Sequence, residues 1–212
     1  MAKYMAIKNK QLQELLGELA GASATPGGGS AAALAGAMGA ALVSMVCTLT
    51  SGKPRFAAVE DELQGVLAEA EFLRRRLVDL AEADSHAFDQ VMAAYRLPKG
   101  TLEEQTQRHA AVQAALGQAT QVPLETAEAC ASVVRLAAQV VAKINPSTLS
   151  DAGTAALLGE AGLRAAQLNV MTNLAAIHDP AFVQAKQQAL NVLLTDVDQA
   201  KERVVAYVVE HA

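Results

Sequence analysis

Aromatic residues are scarce in this chain, at 3% of 212 positions, and tryptophan is missing altogether. Platforms for stacking nucleotide bases are therefore lacking. A net charge of −5 removes the basic footprint that a phosphate backbone requires, so no nucleic-acid partner is expected. Cysteine is nearly absent too: Cys47 and Cys130 lie far apart in apolar stretches. That argues against a disulfide framework and reads as two buried thiols. The four histidines, His86, His109, His178 and His211, include no pair at metal-ligand spacing, and neither CxxC nor HExxH occurs. No metal site is expected. β-branched alternating runs and Asn-Gly hairpin turns are missing, and with them any strand signal. The opening "MAKYMAIKNKQLQELLGELA" has no apolar signal core, so a cytoplasmic protein is expected.

What the chain does have is alanine, leucine and valine. Hydrophobic residues make up 52% of it, and alanine is the best helix former. The spacing predicts a short helix over Lys8–Ala20, then a buried helix over Ser30–Ser51 after a Gly/Ser/Pro stretch. The second segment is long enough to cross a membrane. Its alanines, glycines and threonines make it only weakly apolar, however, and no second such segment follows, so a buried bundle helix is expected and no membrane partner. Val59, Leu63, Val66, Leu67, Phe72, Leu73, Leu77 and Leu80 keep helical spacing from Arg55 to about Tyr95. Thr101 and Glu104 form a capping box for the next helix, which Pro123 is expected to kink or restart. After "NPSTLSD", Ser150 or Asp151 can cap a helix running to about His178. Pro180 opens a last one toward Tyr207. The expected fold is all-α: one domain over 1–212, a bundle of long, mostly antiparallel helices.

Within that frame, "PGGGS" (Pro26, Gly27, Gly28, Gly29, Ser30) stands directly before a helix N-terminus. Glycines there let the backbone approach a ligand, and first-turn N–H groups favour an anion or a carbonyl oxygen. The same stretch could equally be a tight entry loop into a crowded core helix. It is not a phosphate loop, since no Lys-Ser/Thr follows and no strand precedes it. Asp84 shares a helical face with Phe88 and Val91; it is either desolvated and functional or simply at the edge of the stripe. Glu82 and Asp89 read as solvated charges, and His86 points well away from Asp84 around the helix. Lys99 follows Leu97-Pro98 on a loop where a flexible ammonium could reach a carboxylate. Asp151 is most simply a cap. Asn169 and Asn173, four apart in an apolar helix, are inter-helix clamps or ligand contacts, because buried amides need partners.

Four segments occur in order: "PGGGSAAALAGAMGAALVSMV", "ADSHAFDQVMAAYRLPKGT", "VPLETAEAC" and "NPSTLSDAGTAALLGEAGLRAAQLNVMTNL". Together they resemble the cyclodeaminase/cyclohydrolase family of folate enzymes, over nearly the whole chain. The resemblance implies an all-helical homodimer that takes a tetrahydrofolate-derived substrate and needs no other cofactor. Without a formiminotransferase half, it points to hydrolysis of 5,10-methenyltetrahydrofolate to 10-formyltetrahydrofolate. The alternatives are cyclodeamination of 5-formiminotetrahydrofolate with release of ammonia, and a non-catalytic helical dimerisation module. It implies Asp84 as the catalytic acid/base and Pro26, Gly27, Gly28, Gly29 and Ser30 against the ligand. Arg55 and Lys99 would meet the glutamate carboxylates, and Asn169 the pterin or the reacting centre, with Asp151 as a further substrate contact. Ser51-Gly52-Lys53-Pro54-Arg55-Phe56 departs from the tyrosine and paired basic residues of bifunctional relatives.

Overall fold

In a computed structural model, which describes residues 6–211, the chain is a bundle of six α-helices, with no strand among the described residues. They are α1 (Leu12–Leu19), α2 (Gly28–Thr50), α3 (Glu60–Tyr95), α4 (Leu102–Val140), α5 (Leu149–Leu174) and α6 (Pro180–His211). Residues 8–20 are not one helix: a 3₁₀ turn at Ile7–Asn9 precedes α1. Likewise Pro54–Val59 is a 3₁₀ segment ahead of α3.

Side-chain pairs fix the directions of the helices. Glu62 of α3 accepts from Lys143 at 2.6 Å, just beyond α4, while Arg76 of α3 pairs with Glu125 of α4, so α3 and α4 run antiparallel. Between α2 and α5, Gly36 meets Gly162 and Gly39 meets Ala155, again antiparallel. A Cβ on Gly162 would lie 2.8 Å from Ala32 O and 2.8 Å from Cys130 Sγ. One on Gly36 would lie 2.4 Å from the same sulfur. These glycines are what let α2, α4 and α5 touch backbone to side chain around Cys130. The α2 helix is the one long and apolar enough to cross a membrane among the described residues, yet it packs against α3, α4 and α5. The main core runs the length of the bundle, and a smaller apolar cluster (Val91, Ala94, Val112, Leu116, Ala119) closes one end.

Several local expectations hold. The Thr101 side chain accepts from Glu104 N and Glu104 reaches back to the Thr101 backbone, the capping box in full. Three need correction. Pro123 does not restart the helix, because α4 runs through it as one 39-residue element; the Ala119 carbonyl that loses its usual donor there accepts from Asn173 Nδ2 of α5 at 2.9 Å. Neither Ser150 nor Asp151 caps α5. A 3₁₀ turn at Pro146–Thr148 brings the helix start forward to Leu149, and the Asn145 side chain accepts from Ser147 N instead. The α5 helix also ends at Leu174, short of His178.

Candidate active site

The N-terminus of α2 has no side-chain cap of its own. Asp84, from the middle of α3, supplies one. Its carboxylate accepts a hydrogen bond from the Ser30 backbone and lies 3.2 Å from Ser30 Oγ. Glycine at 29 is obligatory for this seat: a Cβ there would fall 2.1 Å from Asp84 Oδ1 and 2.5 Å from its Cγ. A carboxylate over the first turn of a helix gains from the N–H groups and the dipole. Burial works against it and prevails, so the Asp84 pKa is raised, with the Ser30 hydrogen bonds opposing the shift.

Ser30 is fully buried, and its one hydroxyl proton has three acceptors within reach, the most distant being Ser85 Oγ at 3.4 Å. Ser30 Oγ lies 2.8 Å from Ala81 O, as well as beside Asp84 Oδ2. When Asp84 is ionised, the hydroxyl can donate to the carboxylate. When Asp84 is protonated, the hydroxyl can turn to Ala81 O and accept from the acid. Either protonation state finds a partner.

The carboxylate opens onto a cavity of about 400 Å³, within the range of small-molecule sites. Ala24, Thr25 and Gly27 to Gly29 form one wall; Ala87, Phe88, Val91, Met92 and Tyr95 of α3 form an apolar second. Ala119 of α4 and Asn169, Thr172 and Asn173 of α5 form a third. Asp84 is the one carboxylate in this lining. Asn169 Nδ2 donates to Ala165 O at 3.0 Å, and Asn173 Nδ2 donates across to Ala119 O at 2.9 Å. The α5 end is tied down nearby, where Gln113 of α4 donates to Ala176 O and accepts from His178 N.

Asp84, Gly27, Gly28, Gly29, Ser30 and Asn169 are thus brought together, and Asp84 is the desolvated residue rather than the edge of a stripe. Four other sequence candidates are not brought in. Pro26 lines a neighbouring depression on the far side of its loop, with Lys10, Ser85 and Asp89. Arg55 lines another cavity at the opposite end of the bundle, beside Phe56, Lys143, Tyr207 and His211. From Glu60, the start of α3, to Asp84 is roughly 36 Å at about 1.5 Å per residue, which puts Arg55, expected to meet the glutamate carboxylates, far from Asp84. Asp151, in the first turn of α5, stands about 27 Å from Asn169 by the same rise. Lys99 is exposed on the loop four residues beyond Tyr95 and outside the lining. Glu82 also departs from expectation: it is half-buried and accepts from Ile7 N at 2.6 Å, anchoring the N-terminal segment. Thr25, Tyr95 and Thr172 were missed. Tyr95 continues the 84–88–91 face by one more turn, a signal the sequence did contain.

A helical bundle that seats one desolvated carboxylate on a glycine-lined helix start defines an acid–base site for a ligand of modest size. Sequence and structure comparisons narrow that class. Residues 11–192 match the family described as formiminotransferase-cyclodeaminase. A methenyltetrahydrofolate cyclohydrolase of Methylorubrum extorquens is 47% identical over 92% of this chain and 94% of that protein. The formimidoyltransferase-cyclodeaminase of Sus scrofa is 35% identical over 90% of this chain, which spans 35% of that longer protein. The crystal structure of a formiminotetrahydrofolate cyclodeaminase from Thermotoga maritima superposes with a TM-score of 0.87 at 28% identity, covering 96% of this chain and 98% of that one. The chain belongs to the formiminotransferase-cyclodeaminase family.

Proposed function

We propose that the protein hydrolyses 5,10-methenyltetrahydrofolate to 10-formyltetrahydrofolate. One observation carries this: a lone, partly buried carboxylate whose pKa burial raises, in an otherwise uncharged cavity. The methenyl substrate is a cation delocalised over N5, the bridging carbon and N10. A single desolvated negative charge is worth most against a charge of that kind. Water adds to the bridging carbon and gives its proton to Asp84, forming a neutral tetrahedral centre. The N5–carbon bond then breaks, with N5 taking the proton back from Asp84. The hydroxyl proton leaves to solvent as the formyl carbonyl forms, so one proton is released per turnover. No electrons move, and the proposed chemistry calls for no cofactor beyond the folate.

Cyclodeamination of 5-formiminotetrahydrofolate passes through a tetrahedral centre at the same carbon, and the names of the porcine and Thermotoga relatives favour it as the second reading. Incubating the pure protein with each substrate separately discriminates. Hydrolysis predicts loss of the methenyl chromophore above the buffer rate; ammonia release from the formimino compound alone would select the second reading. Spontaneous rates in both would revive the non-catalytic module.

The proposed setting is the cytoplasm, where two buried free thiols, Cys47 and Cys130, suit a reducing compartment. The proposed assembly is a homodimer. Leu12 (70% exposed), Leu16 (55%) and Met38 (54%) border an apolar groove between α1 and α2, more apolar surface than a monomer comfortably shows to water.

A further inference from the structure

Within α4, Pro123 has no N–H to give, and its ring crowds the carbonyl four residues back, that of Ala119. Ala119 O therefore has no helical donor at its usual place. It is not left unsatisfied: Asn173 Nδ2 reaches across from α5 and donates to it at 2.9 Å. A carbonyl can only accept, so this bond determines which end of the Asn173 amide is nitrogen and which is oxygen. The other end, Oδ1, has no protein partner among the described residues, and both Asn173 and Ala119 line the Asp84 cavity. One helical turn earlier, Asn169 has its Nδ2 on Ala165 O and its oxygen likewise unclaimed. The α5 wall thus presents two amide oxygens, roughly 6 Å apart by helical spacing, across from the carboxylate and the α2 N-terminus.

We infer that Asn173 is a ligand-binding residue whose orientation is set by Pro123 through the Ala119 carbonyl. Its oxygen accepts a hydrogen bond from an N–H or amino donor on the heterocycle of the ligand. Asn169 offers the second acceptor of the pair. The inference rests on the folate reading, in which that heterocycle is a 2-amino-4-oxopteridine carrying adjacent ring N–H and amino donors. Asn173 is the binding residue; Ala119 and Pro123 are positioning residues that act through it.

The test separates positioning from mere packing. Asn173→Ala orphans the Ala119 carbonyl, so it should lower Tm and weaken binding of 5-formyltetrahydrofolate about 10-fold or more. It should also narrow the discrimination between that ligand and its 2-desamino analogue. Pro123→Ala restores the backbone donor. Alone, it should keep or raise Tm yet weaken binding several-fold, since the restored N–H competes for the carbonyl that holds Asn173. In the double variant the new N–H satisfies Ala119 O: stability should recover while affinity stays at the Asn173→Ala level, the two changes being non-additive. Recovery of both stability and affinity in the double variant would show a structural clamp and overturn the inference. So would an Asn173→Ala protein that binds and discriminates like wild type. Failure of wild type to bind any folate would overturn the folate reading as well, a result distinct from either of these.

Discussion

Asp84 can exchange a proton without losing a hydrogen-bond partner, because Ser30 is able to donate to it or accept from it. That property suits a residue that must accept and return a proton within one cycle. It has a stability consequence. With its folded pKa raised by burial above the ordinary 3.8, Asp84 favours folding only where it is neutral. That contribution is complete below the unfolded value and is lost as pH rises through the folded one. As pH rises through that range the native protein has to take on a partly buried charge, which Asp84→Asn removes. The variant should have a higher Tm than wild type at pH 7, and the gap should close as the pH is lowered into the carboxylate range. Thermal melts of both proteins across that range check this; a variant less stable at pH 7 would mean that the Ser30 contacts outweigh desolvation. Gly29 offers a second check. Gly29→Ala places a methyl group 2.1 Å from Asp84 Oδ1, so it should fold but lose most activity as the carboxylate is displaced. Gly28→Ala, where the nearest atom is Asn169 Nδ2 at 3.9 Å, should retain far more. Equal kcat/KM in the two variants would remove Gly29 from the seat of Asp84.

At the scale of elements, the all-helical architecture was legible because alanine-rich 3.6-residue periodicity and missing strand signals agree. The Thr101–Glu104 box was legible because a capping box is local in sequence. What escaped was whatever depends on a partner distant in the chain. Nothing near Pro123 says that α5 will supply a donor to Ala119 O, so a restart of the helix looked reasonable. Nothing near residue 151 says that a 3₁₀ turn will start α5 at Leu149. The site divides the same way. Asp84 and the glycine run could be singled out, but whether Asp84 was desolvated required α2 beside α3. Arg55 and Asp151 resemble ligand contacts by residue type, and only helix length reveals that they stand at the other end. The glycines make the element scale testable. Gly162→Ala forces a methyl against Ala32 O and Cys130 Sγ, both 2.8 Å away, and should cost about 1–3 kcal/mol as an overpacked core. Gly65→Ala in α3 meets nothing within 4 Å, and should stabilise by roughly 0.5–1 kcal/mol through helix propensity. Chemical denaturation of the two variants checks both signs.

On the scale of the whole molecule, the bundle places the Asp84 cavity at one end and a second cavity, with Arg55 and Lys143 in its lining, at the other. Light scattering at micromolar concentration should report a dimer, which would cover the apolar groove between α1 and α2; a monomer would contradict the proposed assembly. The central claim, that Asp84 turns this bundle into a folate cyclohydrolase, is tested most directly by one kinetic comparison. The measurement is the initial rate of loss of the methenyltetrahydrofolate chromophore, with wild type and Asp84→Asn side by side against buffer. The account predicts a wild-type rate well above buffer that rises as Asp84 ionises, and a folded Asp84→Asn protein slower by roughly 10²–10⁴-fold. A variant within a few-fold of wild type, or a wild-type rate no faster than buffer, would contradict it.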